Sequence, residues 1–326
     1  MFTLAGRRPT LPLLAGGAMA AALLSGCGAS DGSTAGGASG AVGSGVGGGA
    51  SSAAAVSIVA STDVWGDVAK QVAGTLAGRT VQITSFITDP AADPHSYEAN
   101  TQNLLTLSKA DVVVENGGGY DDFVDTMLRS ARNSSATVLN AVAISGQASR
   151  SAGKLNEHVW YDFPTVQRVA DRLAAALSSA DPRDRATYAR NAARFDRKLA
   201  SLEDAEATIK RDHNGEGVAI TEPVPLYMLQ ACGLVNRTPP EFSAGVEEGT
   251  DVSPVLLKQT EDLFTMHRVR LLAYNEQTSG PQTQAVLTAA RANHVPVVPV
   301  TETLPSGQDY LSWMRGNLAA VRAALG

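Results

Sequence analysis

The sequence predicts an α/β protein of two lobes, each a parallel sheet covered by helices, joined by one long rigid helix. Short apolar runs such as "VSIVAS" (56–61) and "VRLLAYN" (269–275) alternate with segments whose apolar residues recur at helical spacing. Strands that alternate with helices in this way form parallel sheets that are buried on both faces. One stretch, 183–211, contains no glycine or proline and interrupts this alternation once.

The first lobe is expected to span residues 56–182. Asp63 opens the first helical run and is expected to cap it. Strands are predicted where apolar or alternating runs occur, and helices where apolar residues recur every three or four positions. The predicted strands are 56–61, 80–87, 111–117 and "TVLNAV", and the predicted helices are 63–76, 101–110 and 165–180.

A linking helix over 183–211 and a second lobe over 212–326 are expected to follow. A helix of this length would span about 43 Å, which is long for a helix packed on a single sheet. Charged residues surround much of it, as expected for a helix that bridges two lobes. The alternation then resumes, with strands predicted at 217–221, 269–275 and 295–300 and helices at 255–268, 281–294 and 308–325.

The first 27 residues have the order of an export signal and are excluded from the fold. Arg7 and Arg8 precede an apolar run that is too short to anchor in a bilayer, and "LSGC" places small residues before Cys27. This ending resembles a bacterial lipobox, which implies cleavage before Cys27 and lipidation of its thiol; an ordinary secretory signal is the alternative. Residues 28–55 are nearly all glycine, alanine and serine, and are expected to form a flexible tether.

The charge of the chain argues against a nucleic-acid partner. The formal net charge is −6, and removing the leader with Arg7 and Arg8 makes it −8. An acidic protein is repelled by the phosphate backbone. Cys232 is the only cysteine besides Cys27, and its apolar surroundings in "LYMLQACGL" predict a buried residue that forms no disulfide.

Four side chains of metal-binding type follow predicted strands or lie in short loops. His95 lies in "DPHSYEAN" after a strand, and His158 lies in "NEHVWYD". Glu222 and Glu302 each follow a predicted strand of the second lobe. Open α/β sheets place ligand-binding groups at the carboxyl ends of their strands. Glu276, in "YNEQTSG", also ends a strand and is a reserve candidate, although a surface acid is the simpler interpretation.

Several segments resemble zinc/manganese substrate-binding lipoproteins of bacterial ABC importers. Residues 93–128, beginning "DPHSYEAN", resemble that family's first ligand loop with the helix and strand that follow it. "HVWYD" (158–162) resembles its second histidine motif, and "VTETLPSGQDYLSWMRGNL" (300–318) resembles its last ligand loop and helix. "DPRDRATYARNAARFDRKLASLE" resembles its linking helix, so the similarity covers essentially all of 56–326.

The resemblance implies a transport protein and not an enzyme, with Zn²⁺ or Mn²⁺ as the bound transport substrate. Glu222 is followed by Pro-Val-Pro instead of a small flexible pair, and Glu302 stands where the family usually has aspartate. Two imidazoles need to be neutral to bind metal, so affinity is expected to fall below about pH 6. The ligands implied by position are His95, His158, Glu222 and Glu302.

The resemblance also implies partners and a location. The protein is expected to be an exported monomer that a lipid on Cys27 holds on the outer face of the cytoplasmic membrane. It is expected to deliver its ion to an ABC permease. A metal-dependent surface adhesin is the first alternative, and chelation discriminates, because a structural metal would be needed for folding. A secreted zinc hydrolase with Glu222 or Glu276 as general base is the second alternative. No HExxH motif supports it.

Overall fold

The computed structural model describes residues 56–92, 94–147 and 155–326. The predicted signal peptide, the tether and Cys27 lie outside the described residues. Within the described part of the chain, no helix is both long and apolar enough to cross a membrane. The described strands are β1 (Val56–Thr62), β2 (Val81–Ile87), β3 (Val112–Glu115), β4 (Thr137–Asn140), β5 (Gly217–Ile220), β6 (Val235–Asn236), β7 (Leu272–Asn275) and β8 (Val297–Val300).

The helices cover these strands and include the predicted long helix. Short 3₁₀ turns precede or follow several of them, at Gly74–Leu76, Pro94–Ser96, Val159–Tyr161 and Pro182–Asp184. The described α-helices are α1 (Asp63–Ala73), α2 (Thr101–Leu107), α3 (Asp122–Ala131), α4 (Ala141–Ser145), α5 (Phe163–Ala180), α6 (Arg185–His213), α7 (Leu226–Ala231), α8 (Pro240–Glu247), α9 (Pro254–Thr265), α10 (Pro281–Ala292) and α11 (Tyr310–Leu325).

The strands form two parallel sheets of four strands each, which confirms the predicted fold class. The first sheet has the order β2-β1-β3-β4 and the second the order β6-β5-β7-β8, so the two lobes repeat one topology. The central strands β3 and β7 are buried along their whole length, because helices cover both faces of each sheet. In both sheets all strands point the same way, so their carboxyl ends meet along one edge.

The long helix α6 begins and ends two residues later than predicted. It packs against α5 and α1 of the first lobe and against α11 of the second. Its buried apolar side chains recur at helical spacing and give a charged helix one apolar stripe, which buried Glu206 interrupts near its end. These residues are Tyr188, Ala192, Phe195, Leu199, Leu202 and Ile209.

One hydrophobic core runs through both lobes. It contains residues of β1 and β3, the buried stripe of α6, and residues of β5, β8 and α11. Each sheet also has a separate core on its other face, formed around Val113 in the first lobe and around Phe264 in the second. The boundaries at residues 182 and 212 stay a prediction, since a shared core crosses them.

The expected cap by Asp63 is wrong. Thr62 is the N-cap of α1, and no side chain caps the helix there. The carboxylate of Asp63 instead accepts a hydrogen bond of 3.2 Å from the backbone N–H of Leu304 in the second lobe. One turn later, Asp67 accepts a bond of 3.0 Å from the backbone N–H of Tyr310. Both acids of α1 therefore join the two lobes.

Candidate metal centre

The structure brings three of the predicted site residues together. His95 lies in the 3₁₀ turn after β2, and His158 immediately precedes the turn Val159–Tyr161. Glu302 lies two residues beyond the end of β8. Two of these side chains thus come from the first lobe and one from the second, and two of the three, His95 and Glu302, follow strands.

The distances suit a single ion. The Nε2 atoms of His95 and His158 each lie 3.6 Å from Oε2 of Glu302. Donor atoms of the three residues lie within 4.8 Å of one another. Ligands about 2.1 Å from a tetrahedral zinc are separated by about 3.4 Å. The three side chains therefore stand close to the spacing of a metal's coordination sphere.

Buried atoms without hydrogen-bond partners mark the same place. His158 is fully buried, Glu302 is 1% exposed and Glu222 is 3% exposed. His158 Nε2, Glu302 Oε2 and Glu222 Oε2 have no hydrogen-bond partner. Leaving a buried polar atom unpaired costs about 1–3 kcal/mol, so such atoms need a reason. A cation bound at this place would provide one for His158 Nε2 and Glu302 Oε2.

The ring of His158 is held in the orientation that metal binding needs. Its Nδ1 lies 2.7 Å from the amide oxygen Oδ1 of Asn156. An amide oxygen only accepts, so Nδ1 carries a proton and Nε2 is the ring atom that faces Glu302 and is available to an ion. Hydrogen bonds of this kind fix the tautomer of metal-ligating histidines. Trp160 and Tyr120 pack against the ring with centroids 5.1 and 5.9 Å away.

Glu302 is held in a similar way by residues at the end of β7 and just beyond it. The side chain of Asn275 donates a hydrogen bond of 2.9 Å to Oε1 of Glu302, which leaves Oε2 for an ion. The backbone N–H of Glu302 donates to Oε1 of Gln277 at 2.5 Å. The carboxylate of Glu302 and its backbone are therefore both held by residues at the carboxyl end of β7.

Opposite charges couple His158 and Glu302. Burial alone would lower the pKa of His158, but the carboxylate of Glu302 that faces the ring, with the charges of Glu247 and Glu157, raises the pKa above its ordinary value. Burial alone would raise the pKa of Glu302, but His158 and His95 lower the pKa below its ordinary range. Without metal, the pair favours a proton on His158, and an incoming ion has to displace it.

Glu222 lies beside this group but outside it. Among the described residues, the three-residue group with Glu302 does not include Glu222. Burial, followed by the charge of Glu302, raises the pKa of Glu222 to about 8. The charge of Glu302 therefore acts on Glu222, but the role of Glu222 as a ligand stays a prediction. Glu276 is exposed and belongs to neither candidate group in the described part of the chain.

Two carboxylates near the centre were missed by the sequence analysis. Glu157 and Glu247 form a second group with His95, again with donor atoms within 4.8 Å of one another. Oε1 of Glu247 lies 3.6 Å from Nδ1 of His158, and its side chain is 4% exposed. Glu157 precedes His158 directly, which was an available signal. Glu247 ends the short helix α8 in "VEEGT", which offers no such signal.

Comparisons with known proteins agree with the fold and the metal-binding class. The family described as ZnuA, zinc-uptake complex component A periplasmic, matches residues 58–324. The manganese ABC transporter substrate-binding lipoprotein scaA of Streptococcus gordonii is 24% identical over 253 residues, covering 72% of this chain and 78% of the relative.

Solved structures show the same fold. A crystal structure of ZnuA, 23% identical, covers 83% of this chain and 98% of its own with a TM-score of 0.65. The Pseudomonas aeruginosa protein FpvC in complex with Ni²⁺, 22% identical, covers 83% and 97% with a TM-score of 0.67. The family match spans nearly the whole described chain, and it confirms the predicted resemblance and the prediction that the protein is not an enzyme. The chain belongs to the ZnuA family, the metal-binding substrate-binding components of ABC importers.

Proposed function

We propose that this protein captures one divalent transition-metal ion between its lobes and delivers it to an ABC permease. His95, His158 and Glu302 act as ligands, and Glu222 completes the set. The observation that supports this most strongly is the facing pair of buried atoms, His158 Nε2 from the first lobe and Glu302 Oε2 from the second, which lie 3.6 Å apart and make no hydrogen bond. An ion between them satisfies both atoms at once.

The donor set suits Zn²⁺ or Mn²⁺ as the transported ion. Imidazole nitrogens favour zinc, whereas carboxylate oxygens favour manganese. Two glutamates supply up to four oxygens, which permits a coordination number above four. Zinc stands above manganese in the general affinity order, so we expect Zn²⁺ to displace Mn²⁺ from the purified protein. Metal analysis of protein purified from its own host identifies the ion that is carried in the cell.

The bridging position of the ion explains how binding is coupled to lobe closure. A ligand shifts a conformational equilibrium only through its differential affinity for the two states. An ion held by histidines of one lobe and a glutamate of the other binds the closed arrangement more tightly than the open one. A permease that pulls the lobes apart would therefore weaken binding and release the ion.

Delivery and location are proposed from the leader and the family. Relatives such as scaA are named as substrate-binding lipoproteins of ABC transporters. The lipobox-like "LSGC" places Cys27 where such a lipid would be attached. We place the protein on the outer face of the cytoplasmic membrane, as a monomer. Replacing Cys27 with alanine is expected to release it from the membrane fraction, which fractionation measures.

Calorimetric titration of the full chain with Zn²⁺ and Mn²⁺ tests the proposed site. We expect one ion per chain, and an affinity at least 100-fold lower in His158→Ala and in Glu302→Ala. His213→Ala is the matched control, because His213 lies at the end of α6 and contacts Glu216 instead of the cleft. Unchanged binding in both cleft variants would rule out this site.

A further inference from the structure

A single glutamine joins the two loops that carry the proposed ligands. Gln277 lies two residues beyond β7 and is half-buried. Its amide oxygen accepts the backbone N–H of Glu302 in the second lobe. Its amide nitrogen donates to the carbonyl oxygens of Ala92 at 2.7 Å and Pro90 at 3.2 Å, in the loop that leads to His95 in the first lobe. One side chain is thereby hydrogen-bonded to both ligand loops.

Only a primary amide can make this set of bonds without charge. Its oxygen faces an N–H donor and its nitrogen faces carbonyl acceptors, so the two ends have opposite hydrogen-bonding character. The hydroxyl of Thr303 accepts a further bond of 2.8 Å from the same nitrogen and donates to Pro90 at 3.4 Å. The contact between the loops is therefore a small polar network with Gln277 at its centre.

The bonds of Gln277 divide into two classes with different consequences. The bond from Glu302 stays within the second lobe and persists when the lobes separate. The bonds to Ala92 and Pro90 cross between lobes, so they exist only while the ligand loops are together. Opening the cleft has to break the second class and need not break the first.

We infer that Gln277 is a positioning residue that latches the His95 loop to the Glu302 loop in the closed state and slows release of the bound ion. This inference rests on the proposed function, because a latch has meaning only if the cleft opens to exchange a metal. Losing both cross-lobe bonds is expected to accelerate release on the order of 10-fold or more, from the usual net contribution of two neutral hydrogen bonds. Association is expected to change less, because the latch forms after the ion arrives.

Two substitutions at Gln277 separate the latch from a role within the second lobe. Gln277→Glu keeps an oxygen that accepts from Glu302 but cannot donate to Ala92 and Pro90. Gln277→Met removes both classes of bond at similar size. Gln284→Met is the control, since Gln284 donates to Tyr274 and Ser279 and bonds only within its own lobe.

The rate of Zn²⁺ release from the full chain into excess chelator is measured by stopped flow, together with the melting temperature without metal. We expect faster release in both Gln277 variants, wild-type release in Gln284→Met, and metal-free melting temperatures close to wild type. Wild-type release in Gln277→Glu, with fast release only in Gln277→Met, would overturn the latch and leave a role confined to Glu302. If wild-type protein fails to bind Zn²⁺ or Mn²⁺ at all, the proposed function fails instead.

Discussion

Replacing Glu222 with glutamine decides whether this residue is the fourth ligand. Burial, with the charge of Glu302, raises the pKa of Glu222 to about 8. At pH 7 about nine-tenths of the metal-free protein therefore carries a proton on this residue. To bind the ion as a carboxylate, Glu222 has to release that proton at a cost of about 1.4 kcal/mol, or about tenfold in affinity. This cost disappears above pH 8 and grows by the same amount for each unit below it.

The sign of the expected pH dependence follows from this cost. The wild-type protein has a free, anionic Glu222 above pH 8 and gains the full strength of the ligand there. Glutamine has neither the proton to lose nor the negative charge to offer. The dissociation constant of Glu222→Gln divided by that of wild type is therefore expected to be largest above pH 8, and to be about tenfold smaller at pH 7 and about 100-fold smaller at pH 6.

Calorimetry with chelator-buffered Zn²⁺ in two buffers of different ionisation enthalpy measures both affinity and protons released. At pH 7 we expect Glu222→Gln to release about one proton fewer than wild type. Glu276→Gln is the control, because Glu276 is exposed and belongs to neither candidate group within the described residues. If Glu222→Gln releases as many protons as wild type and the affinity ratio is constant with pH, Glu222 stays protonated and is not a ligand.

Three further outcomes are expected. Asn156→Leu removes the acceptor that holds the ring of His158 and is expected to weaken Zn²⁺ binding about 10- to 100-fold in the same titration, with the melting temperature as a check on folding. Glu206→Gln is expected to raise the free energy of unfolding at pH 7.5 by up to about 4 kcal/mol, measured by urea unfolding. Burial, followed by the charges of Glu203 and Asp162, raises the pKa of Glu206 from 4.5 to about 9, so the wild-type protein has to take up a proton when it folds at this pH. The difference in stability between variant and wild type is expected to vanish toward pH 4.5, where Glu206 is protonated in the unfolded chain as well. Chelation is expected to remove the transported ion while the far-UV circular dichroism stays native, whereas an unfolded metal-free protein would favour the structural-metal alternative.

The sheets and the long helix could be predicted because their signals are local. Strands buried on both faces read as unbroken apolar runs, and α6 has no glycine or proline to interrupt it. His95 and Glu302 could be placed by the same logic, since the ends of parallel strands converge. Among the elements that were not predicted, β6 has two residues, and α7 and α8 are short helices whose formation depends on packing against neighbours. The ten-residue helix α3 was also missed, although the seven-residue helix α2 was predicted, so length alone does not decide which helices a sequence reveals.

The support around the centre could not be predicted, because it depends on which distant segments meet. Polar side chains at the ends of strands and helices, or in turns, usually just contact solvent. Three such residues hold or surround the centre: Asn275 at the end of β7, Gln277 just beyond it and Glu247 at the end of α8. Asp63 is a second example. Its position at the start of α1 predicted a local cap, but its carboxylate accepts a hydrogen bond from the backbone N–H of Leu304 in the other lobe. Local propensity decides where α1 begins, but tertiary contacts decide what its acids bind.

The shared core restricts how this protein can open. The long helix packs against α5 and α1 on one side and α11 on the other, and the core that contains its buried stripe reaches both sheets. A wide hinge motion would expose that core, at about 25 cal/mol for each Å² of apolar surface. The polar contacts at the cleft, including Gln277 to Ala92 and Asn156 to Pro223, are far cheaper to break. Exchange of the ion is therefore expected to follow small movements of the ligand loops. The time for which the ion stays bound is then set more by the hydrogen bonds beside the metal than by the flexibility of the helix.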